Sequence, residues 1–536
     1  DVRSPVVRMP QLRRATQRPL RREWTPPCND GCPAGNNVRG FVAAVGEKQL
    51  DRALAILHAT SPFPATCGRV CPAPCMDACH RNHLDEALNV RELERYAADH
   101  GHAEPVREAP RKETVGVIGS GPAGLSTAYH LGRLGYAVSL YEALDELGGV
   151  MRTGIPSYRL PREVLDGEID FILAHGVTAQ TGFKGDRQKL LDLTRKHDAI
   201  FVATGLQEAR GLNLGLDDPT LLMQGITFLD DARLGKIRLD GERVAVMGGG
   251  NTAMDAARTA LRLGAKQVKV LYRRTREEMP AIKEEIDEAI EEGVSLHELV
   301  APTRLKKLLG GVSITCRRMV LGEPDESGRR RPIPADGPGA EFNVDADRVI
   351  LALGQFGDLS IFPEGTEVTD AQVRLGLSGA PIFAGGDLAT NEGTVTAAIG
   401  SGRRAAYHIH RTLSGEDLFP PARSEVIPAG EMKFTRFEHS PQTRGEVLDA
   451  RVRLTSDFQE VRRGLAESPD HAVAAAEAHR CLSCGDCNRC DLCREHCPEG
   501  VLVRERDFYA FDYEYCKGCG LCASECPRGV VYMEQI

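Results

Sequence analysis

The 536-residue chain has no apolar run long enough to span a bilayer, which takes about 20 residues. Its opening stretch, DVRSPVVRMPQLRR, has no apolar core, so no secretory leader is expected there. Positive charge is not in excess either: the net formal charge is −9, which argues against a general nucleic-acid binder. Cysteine is nearly missing from the middle of the chain. Of seventeen, six fall in 28–79, ten in 481–526, and Cys316 stands alone between them. A disulfide scaffold is short, loop-rich and secreted, so grouped cysteines in a long chain point to metal ligands. With 42% hydrophobic residues and 55 glycines, the composition is that of a globular protein rich in tight turns. A cytoplasmic protein of three or more domains is expected.

What is present is organised by two glycine-rich turns. TVGVIGSGPAGLSTAYHLGRLGYAVSLYE (114–142) reads as strand, turn, helix, strand, and RVAVMGGGNTAMDAARTALRLGAKQVKVLYRR (243–274) repeats it. Two such units predict an α/β fold with two doubly wound dinucleotide-binding domains. In the first, Gly119 allows the tight turn, Gly121 lets backbone approach a pyrophosphate, and Gly124 permits close helix–strand packing. Glu142 ends the next strand, where a carboxylate accepts from ribose hydroxyls. The second turn is Gly248-x-Gly250-x-x-Ala253, and its strand ends in Tyr272, Arg273 and Arg274 with no acid in the ribose position. An acid there would repel a 2′-phosphate, whereas a guanidinium pairs with it, so this site reads as NADP(H). The competing reading leaves both arginines merely exposed. HDAIFVATG (197–205) and DRVILALGQ (347–355) are buried strands that run into glycine turns. The first site reads as FAD, because Gly385-Gly386-Asp387 opens a late segment of the kind through which two-dinucleotide reductases return to their flavin. Asp387 would sit near the ribityl–pyrophosphate, or else cap a helix. A helix starting at 394–398 would aim its N-terminus at the isoalloxazine carbonyl and stabilise negative charge there.

GSGPAGL, LGGVMRTGIPSYRLP (147–161), GGGNTAMD, YRRTREEMPA (272–281) and the GGD segment together resemble the small subunit of NADPH-dependent glutamate synthase and the flavin half of dihydropyrimidine dehydrogenase. The resemblance covers roughly residues 25–410. It implies FAD contacts at Gly119, Gly121, Pro122, Ala123, Gly124, Glu142, Gly149, Arg152, Thr204, Gly205, Gly386, Asp387 and Thr394. It implies NADP(H) contacts at Gly250, Asn251, Thr252, Arg273, Arg274 and Gly354, beside the turn residues Gly248 and Ala253. No Cys-x-x-Cys stands beside the nicotinamide unit, which argues against a thioredoxin-reductase-like dithiol.

PPCNDGCPAGN and TCGRVCPAPCMDAC space Cys28 from Cys32, and Cys67, Cys71, Cys75 and Cys79 from one another, by four residues. Four residues is about one helical turn, so the thiols share a face. They suit an iron–sulfur cluster, and by count they also suit zinc. The resembled family binds two N-terminal clusters, one using a further Cys-x-x-Cys just before the position of Cys28. Here Leu20 and Glu23 occupy those places. The resemblance therefore implies one N-terminal [4Fe-4S] cluster on Cys32, Cys71, Cys75 and Glu94. Cys67 is an alternative to Glu94, or joins Cys28 and Cys79 in rebuilding a site.

At the other end, Cys487-x2-Cys490-x2-Cys493-x3-Cys497-Pro498 is matched by Cys516-x2-Cys519-x2-Cys522-x3-Cys526-Pro527. This is the bacterial two-cluster ferredoxin run, in which the fourth cysteine of each run serves the other cluster. One [4Fe-4S] cluster is expected on Cys487, Cys490, Cys493 and Cys526, the other on Cys516, Cys519, Cys522 and Cys497. Val501, Val503 and Val530 are expected to exclude water. EYCKGCGLCASECP also resembles the ferredoxin-like δ subunits of 2-oxoacid:ferredoxin oxidoreductases. Cys481 and Cys484 fall outside the eight; they are a redox pair, ligands to a further site completed by another segment, or structural thiols.

The expected division is a basic arm (1–24, seven arginines, solvated or docking), a helical iron–sulfur domain (25–112), an FAD-binding domain in two parts (113–225 and 356–412) around an NADP(H)-binding domain (226–355), a Pro-dotted connector (413–475) and a small α+β ferredoxin-like domain (476–536). The reading is an NADP(H)-linked flavin/iron–sulfur oxidoreductase with no catalytic side chain, hydride passing between the cofactors themselves. It would exchange electrons with a ferredoxin or with a partner such as a 2-oxoacid:ferredoxin oxidoreductase, inside a hetero-oligomer, without nucleic acid or membrane. Two alternatives stand: the glutamate synthase small subunit, against which the ferredoxin module counts, and a non-catalytic electron-relay and docking subunit, against which the intact glycines and paired arginines count.

Overall fold

The computed structural model describes residues 15–536 apart from 213, 217, 326–327, 371, 375–378, 422, 456–457 and 507, and of 372–374 the backbone alone. The expectation for residues 1–14 of the arm lies outside the described residues.

Val115, Val117 and Ile118 are buried on both faces of their strand, as a parallel sheet covered by helices requires. That strand, Thr114–Ile118, lies third in a five-stranded parallel sheet. The order is Ile382–Ala384, Ala199–Val202, Thr114–Ile118, Ala137–Tyr141, Val177–Gln180. The first strand of that order arrives about 180 residues after the others, so the chain leaves this sheet and returns to it. In the interval it builds a second parallel sheet: Ser295–His297, Gln267–Leu271, Arg243–Met247, Arg348–Leu351, Leu222–Gln224. The outgoing and returning segments, Leu206–Ala209 and Gln355–Gly357, pair antiparallel as a two-stranded tie between the two sheets. The sequence reading assigned no separate layer to the region after 300. The structure places there a four-stranded antiparallel sheet of Val300–Leu308, Gly311–Pro324, Arg330–Pro334 and Glu341–Ala346. Cys316 is buried in its core with Val312 and Ile314, and burial pushes its thiol up to about 11, so it is a packing residue.

Small residues let the helices press onto the sheets. The helix Pro122–Arg133 packs against the long helix Val395–Ser414 so closely that a Cβ on Gly402 would stand 2.2 Å from the Ala123 carbonyl oxygen. Ser126 and Thr127 donate across this contact to the carbonyls of Ile399 and Gly402, both at 2.9 Å. Ala253, Ala256, Ala257 and Ala260 do the same service along Asn251–Arg262. Between the two sheets lies a buried ionic cluster. Arg159 pairs with Asp255 at 2.8 Å and with Glu285 at 2.9 Å. Arg258, fully buried, meets Glu285, Glu288 and Glu292. The connector joins in, with Arg462 on Glu288 at 2.7 Å and Arg453 on Glu291 at 3.0 Å.

Ahead of the sheets, Val38–Gly46, Leu50–His58, Pro64–Val70 and Val90–His100 form the helical domain around Phe41, Leu57, Leu93 and Tyr96. The arm is no solvated tail over its described part. Gln17–Arg21 pairs antiparallel with Val531–Gln535, the last strand of the chain, and Trp24 Nε1 donates to the Gly529 carbonyl at 2.8 Å. The first and last strands among the described residues therefore meet. Among the described residues no helix is long and apolar enough to cross a membrane.

Candidate cofactor sites

The first glycine turn shows three separate physical demands. Gly119 has φ +101, and a Cβ there would stand 2.4 Å from the Ala203 carbonyl oxygen. A Cβ on Gly124 would meet the Gly119 oxygen at 1.9 Å. Gly121 has nothing within 4 Å, which leaves open the space that a pyrophosphate would fill beside the helix starting at Pro122 and Ala123. Gly149, at φ +53, closes over this turn, with its Cβ position 2.7 Å from the Gly121 Cα. Glu142 already has partners: its carboxylate accepts from Ser120 N at 2.9 Å, from Ser120 Oγ at 2.5 Å and from Leu144 N at 2.9 Å. Arg152 is buried and turned inward, donating to the Leu147 carbonyl and pairing with Asp166. Thr204 has a buried hydroxyl with no hydrogen-bond partner, next to Gly205 at φ +69, whose missing side chain would meet nothing. An orphaned hydroxyl beside open space is the mark of a ligand's place. Gly386, at φ +65, faces Ala123, with its Cβ position 2.7 Å from the Ala123 Cβ. Asp387 accepts from Gly393 N at 2.9 Å, and burial raises its carboxyl above the ordinary range. Thr394 caps Val395–Ser414, its hydroxyl accepting from Ala397 N at 3.3 Å. These residues fit a flavin dinucleotide.

The second turn repeats the geometry. Gly248, at φ +142, sits where a Cβ would be 2.2 Å from the Ala352 oxygen, and the first neighbour of a Cβ on Gly250 is Pro280 at 4.0 Å. Ala253 is fully buried against the sheet. Asn251 accepts from Ile282 N at 2.9 Å, Thr252 packs toward Gly225, and Gly354 takes φ +95 at the end of its strand. The two arginines part company. Arg273 is exposed, but Arg274 is buried and donates to the Arg330 carbonyl at 2.7 Å and to Asp325 at 2.5 Å. The pair expected to hold a 2′-phosphate is thus one available guanidinium and one committed to its own fold.

At the N-terminal end, Cys32, Cys71, Cys75 and Glu94 are brought together. Burial and then Glu94 raise the Cys32 thiol, and burial and Glu94 push Cys71 up to about 11. Cys75 is raised well above its ordinary value by burial, then Cys32, Cys71 and Glu94. Burial, with Glu168 adding, pushes Glu94 up to about 8, against the hydrogen bond it accepts from Asn36 at 3.2 Å. Cys67 lies beside Glu94 and Cys71 in the same group. Crowded acids under low dielectric need positive charge, and an iron core supplies it. Two residues escaped the sequence reading here: Asn36, and Thr396, whose hydroxyl donates to Cys71 Sγ at 3.0 Å. The short word TVT at the cap of the long helix holds Thr396, and Asn36 ends the word PPCNDGCPAGN.

At the C-terminal end, Cys487, Cys490, Cys493 and Cys526 line one apolar cavity with Tyr509, Phe511 and Val530. Cys522 lies beside Cys516, Cys519 and Cys497. Val501 and Val530 are buried, but Val503 is 53% exposed. Strand alternation sends Leu502 inward and Val503 out, so Leu502 takes the water-excluding place expected of Val503. Among the described residues no three His, Cys, Asp or Glu side chains close around a single-ion position.

A family model described as pyridine nucleotide-disulphide oxidoreductase matches residues 113–402, more than half of the chain. The chain belongs to this family. In this chain, residues 9–106 also match dihydropyrimidine dehydrogenase domain II, 4Fe-4S cluster, and residues 509–532 match a 4Fe-4S binding domain. Its cofactors are FAD, NADP(H) and [4Fe-4S] clusters. It is 38% identical over 505 residues to the NADP(+)-dependent formate dehydrogenase subunit beta of Moorella thermoacetica, covering 86% of this chain and 70% of that one. It is 37% identical over 522 residues to the NADPH-Fe(3+) oxidoreductase subunit beta of Geobacter sulfurreducens, covering 86% and 75%. It is 34% identical over 433 residues to the glutamate synthase [NADPH] small chain of Azospirillum brasilense, covering 74% and 88%.

Proposed function

We propose that this oxidoreductase is the nucleotide-side subunit of an electron-transfer complex, exchanging electrons between NADP(H) and a ferredoxin or catalytic partner subunit docked at its C-terminal module. Bound FAD and clusters supply the exchange between a two-electron hydride and single electrons. The protein's own part is placement. Gly121 and Gly250 admit the two pyrophosphates to helix N-termini, whose dipoles favour phosphate charge. Arg273 selects the 2′-phosphate. Gly149, Arg152, Thr204, Gly205, Gly386, Asp387 and Thr394 hold the flavin, and the capped N-terminus of Val395–Ser414 stabilises negative charge on its ring. Asn251, Thr252 and Gly354 seat the nicotinamide half. Cys32, Cys71 and Cys75 with Glu94, and the two crossed sets of the C-terminal run, hold clusters.

The observation that carries this reading is the contact between the flavin-side helix and the N-terminal thiols. Thr394 caps that helix, and Thr396, in its first turn, donates to Cys71 Sγ at 3.0 Å. The Cys32 loop lies on the same helix, since a Cβ on Gly400 would stand 2.1 Å from the Pro33 oxygen. One helix would thus touch both proposed centres. The beta-subunit relatives named for NADP(+)-dependent formate dehydrogenase and NADPH-Fe(3+) oxidoreductase support the same role.

The test is anaerobic. NADPH is expected to bleach the flavin and to reduce a viologen dye, with no turnover on glutamine plus 2-oxoglutarate and a glutamate synthase large subunit. Turnover in that last mixture would replace this reading by the amidotransferase one, and no bleaching by NADPH would leave only an electron-relay role. Co-purified subunits identify the partner; a 2-oxoacid:ferredoxin oxidoreductase is one expected class.

A further inference from the structure

Four cysteines remain outside the three sets described above, apart from buried Cys316 and Cys67: Cys28, Cys79, Cys481 and Cys484. They lie up to 456 residues apart in sequence and come together in the fold. Cys28 stands in the one-turn helix Pro27–Asp30, which packs on Pro74–Asp77, two residues before Cys79; a Cβ on Gly31 would touch the Ala78 Cβ at 3.2 Å. The helix Ala472–His479 packs across Val38–Gly46, with a Cβ on Gly46 meeting the His479 ring at 3.2 Å, and delivers Cys481 to the same place. Cys28, Cys79 and Cys481 all pack against the helical domain's core, and Cys484 packs, like Trp24 and Leu84, against Ile427, Met432 and Leu482. Cys28 lies near Cys481, Cys79 and Cys484, and Cys481 and Cys484 each lie near Cys79.

The local backbone is shaped for sulfur. Ser483 takes φ +50 and Gly485 φ +69, so the chain turns tightly after Cys481, and the Ser483 N–H points at Cys481 Sγ at 3.4 Å. Arg39 stands next to this turn, paired with Asp486. The turn is anchored from the helical domain: Arg81 donates to the Arg480 carbonyl, and Arg480 donates to the carbonyls of Ala87, Glu86 and Ser440 at 3.1, 2.9 and 3.0 Å.

We propose that Cys28, Cys79, Cys481 and Cys484 ligate a fourth [4Fe-4S] cluster, two thiolates from each end of the chain. The proposal extends the iron–sulfur reading above and is separable from it. Its sequence logic is a substitution. A Cys-x-x-Cys is missing at Leu20 and Glu23, and a Cys-x-x-Cys appears at 481–484 with the same spacing. The structure supplies the reason the arm no longer serves: Leu20 pairs with Tyr532 and Arg22 N donates to the Val530 carbonyl at 2.9 Å, so this stretch is committed to the last strand of the ferredoxin module. The site also bridges a gap. Cys75 of the N-terminal set has Cys28 among its neighbours, and Cys484 is three residues from Cys487 of the ferredoxin set. The four sets then form one unbroken series from the Thr394 cap to the C-terminal module.

The test is iron, acid-labile sulfide and zinc content of the full-length chain purified without oxygen, with electron paramagnetic resonance after dithionite reduction. About 16 irons per chain are expected, four per cluster in four clusters. Cys481→Ser with Cys484→Ser should bring that to about 12 and remove one reduced-cluster signal, while FAD content and the ferredoxin signals persist. Cys28→Ser alone should remove the same signal, and Cys316→Ser should remove none. About 12 irons in the unaltered chain, or one zinc per chain, overturns the proposal without touching the function proposed above, since the flavin and the other three clusters would remain. An unchanged spectrum in a folded double variant overturns it as well, and the unaltered chain's metal content decides the matter even where that variant does not fold.

Discussion

At the scale of single residues, two positions separate binding from folding. Gly121 has nothing within 4 Å of its would-be Cβ. Gly121→Ala should therefore fold normally yet bind FAD at least about tenfold more weakly, a loss of roughly 1.4 kcal/mol, measured by flavin released on dilution. Gly124→Ala should instead fail to accumulate as folded protein, because its Cβ would stand 1.9 Å from a backbone oxygen. The split between Arg273 and Arg274 sharpens the nucleotide preference. Arg273→Ala should raise the KM for NADPH roughly ten- to a hundredfold, the worth of a charged hydrogen bond of about 1.5–3 kcal/mol, with that for NADH little changed. Arg274→Ala should lower thermal stability without that selectivity, since its partners are Asp325 and the Arg330 carbonyl.

At the scale of elements, the contacts between helices and sheets carry charge as well as apolar area. Arg258 is fully buried among Glu285, Glu288 and Glu292. Arg258→Leu takes the cation that Glu285, Glu288 and Glu292 share, leaving them Arg159, Arg462 and Arg262, and should cost about 3 kcal/mol, read as a lowered unfolding midpoint. His58 marks the seam between the helical domain and the first sheet's helices. Its ring stacks on Phe171 with centroids 4.5 Å apart, and its carbonyl accepts from Tyr129 and Arg133 at 2.9 and 3.0 Å. Burial, with Arg133 adding, lowers His58 from 6.5 to about 4. The folded state thus disfavours its protonation, and the seam is at full strength above pH 6.5 and weakens as pH falls toward 4. His58→Leu should flatten the decline of the unfolding temperature between about pH 6.5 and 4.

At the scale of the whole molecule, the chain closes on itself. The arm strand Gln17–Arg21 completes a sheet with Val531–Gln535, and Trp24 reaches Gly529 and packs on Gly485. The connector is laced to the helical domain by Glu460 with Arg69 at 2.8 Å and to the ionic cluster by Arg462. The ferredoxin module is thereby held at a fixed place and not tethered. Trp24→Ala should loosen it, seen as faster proteolytic cleavage around 476–536, while bleaching of the flavin by NADPH keeps its rate.

The sequence by itself determined everything written in local spacing. Gly119 and Gly124 announce strand, turn and helix because a side chain at either would strike backbone, Gly121 keeps the space of a pyrophosphate clear, and the two ferredoxin runs announce their crossed sets because each run repeats one turn geometry. Only the tertiary structure decided what depends on residues far apart in the chain. Val503 points outward through strand register; Arg274 is consumed by a hairpin some fifty residues on; Gln17–Arg21 is a strand because Val531–Gln535 offers it an edge. Cys481 and Cys484 are the clearest case. In sequence they are two surplus thiols before a ferredoxin run, and their meeting with Cys28 and Cys79 rests on helix packing across more than four hundred residues, which no local pattern encodes.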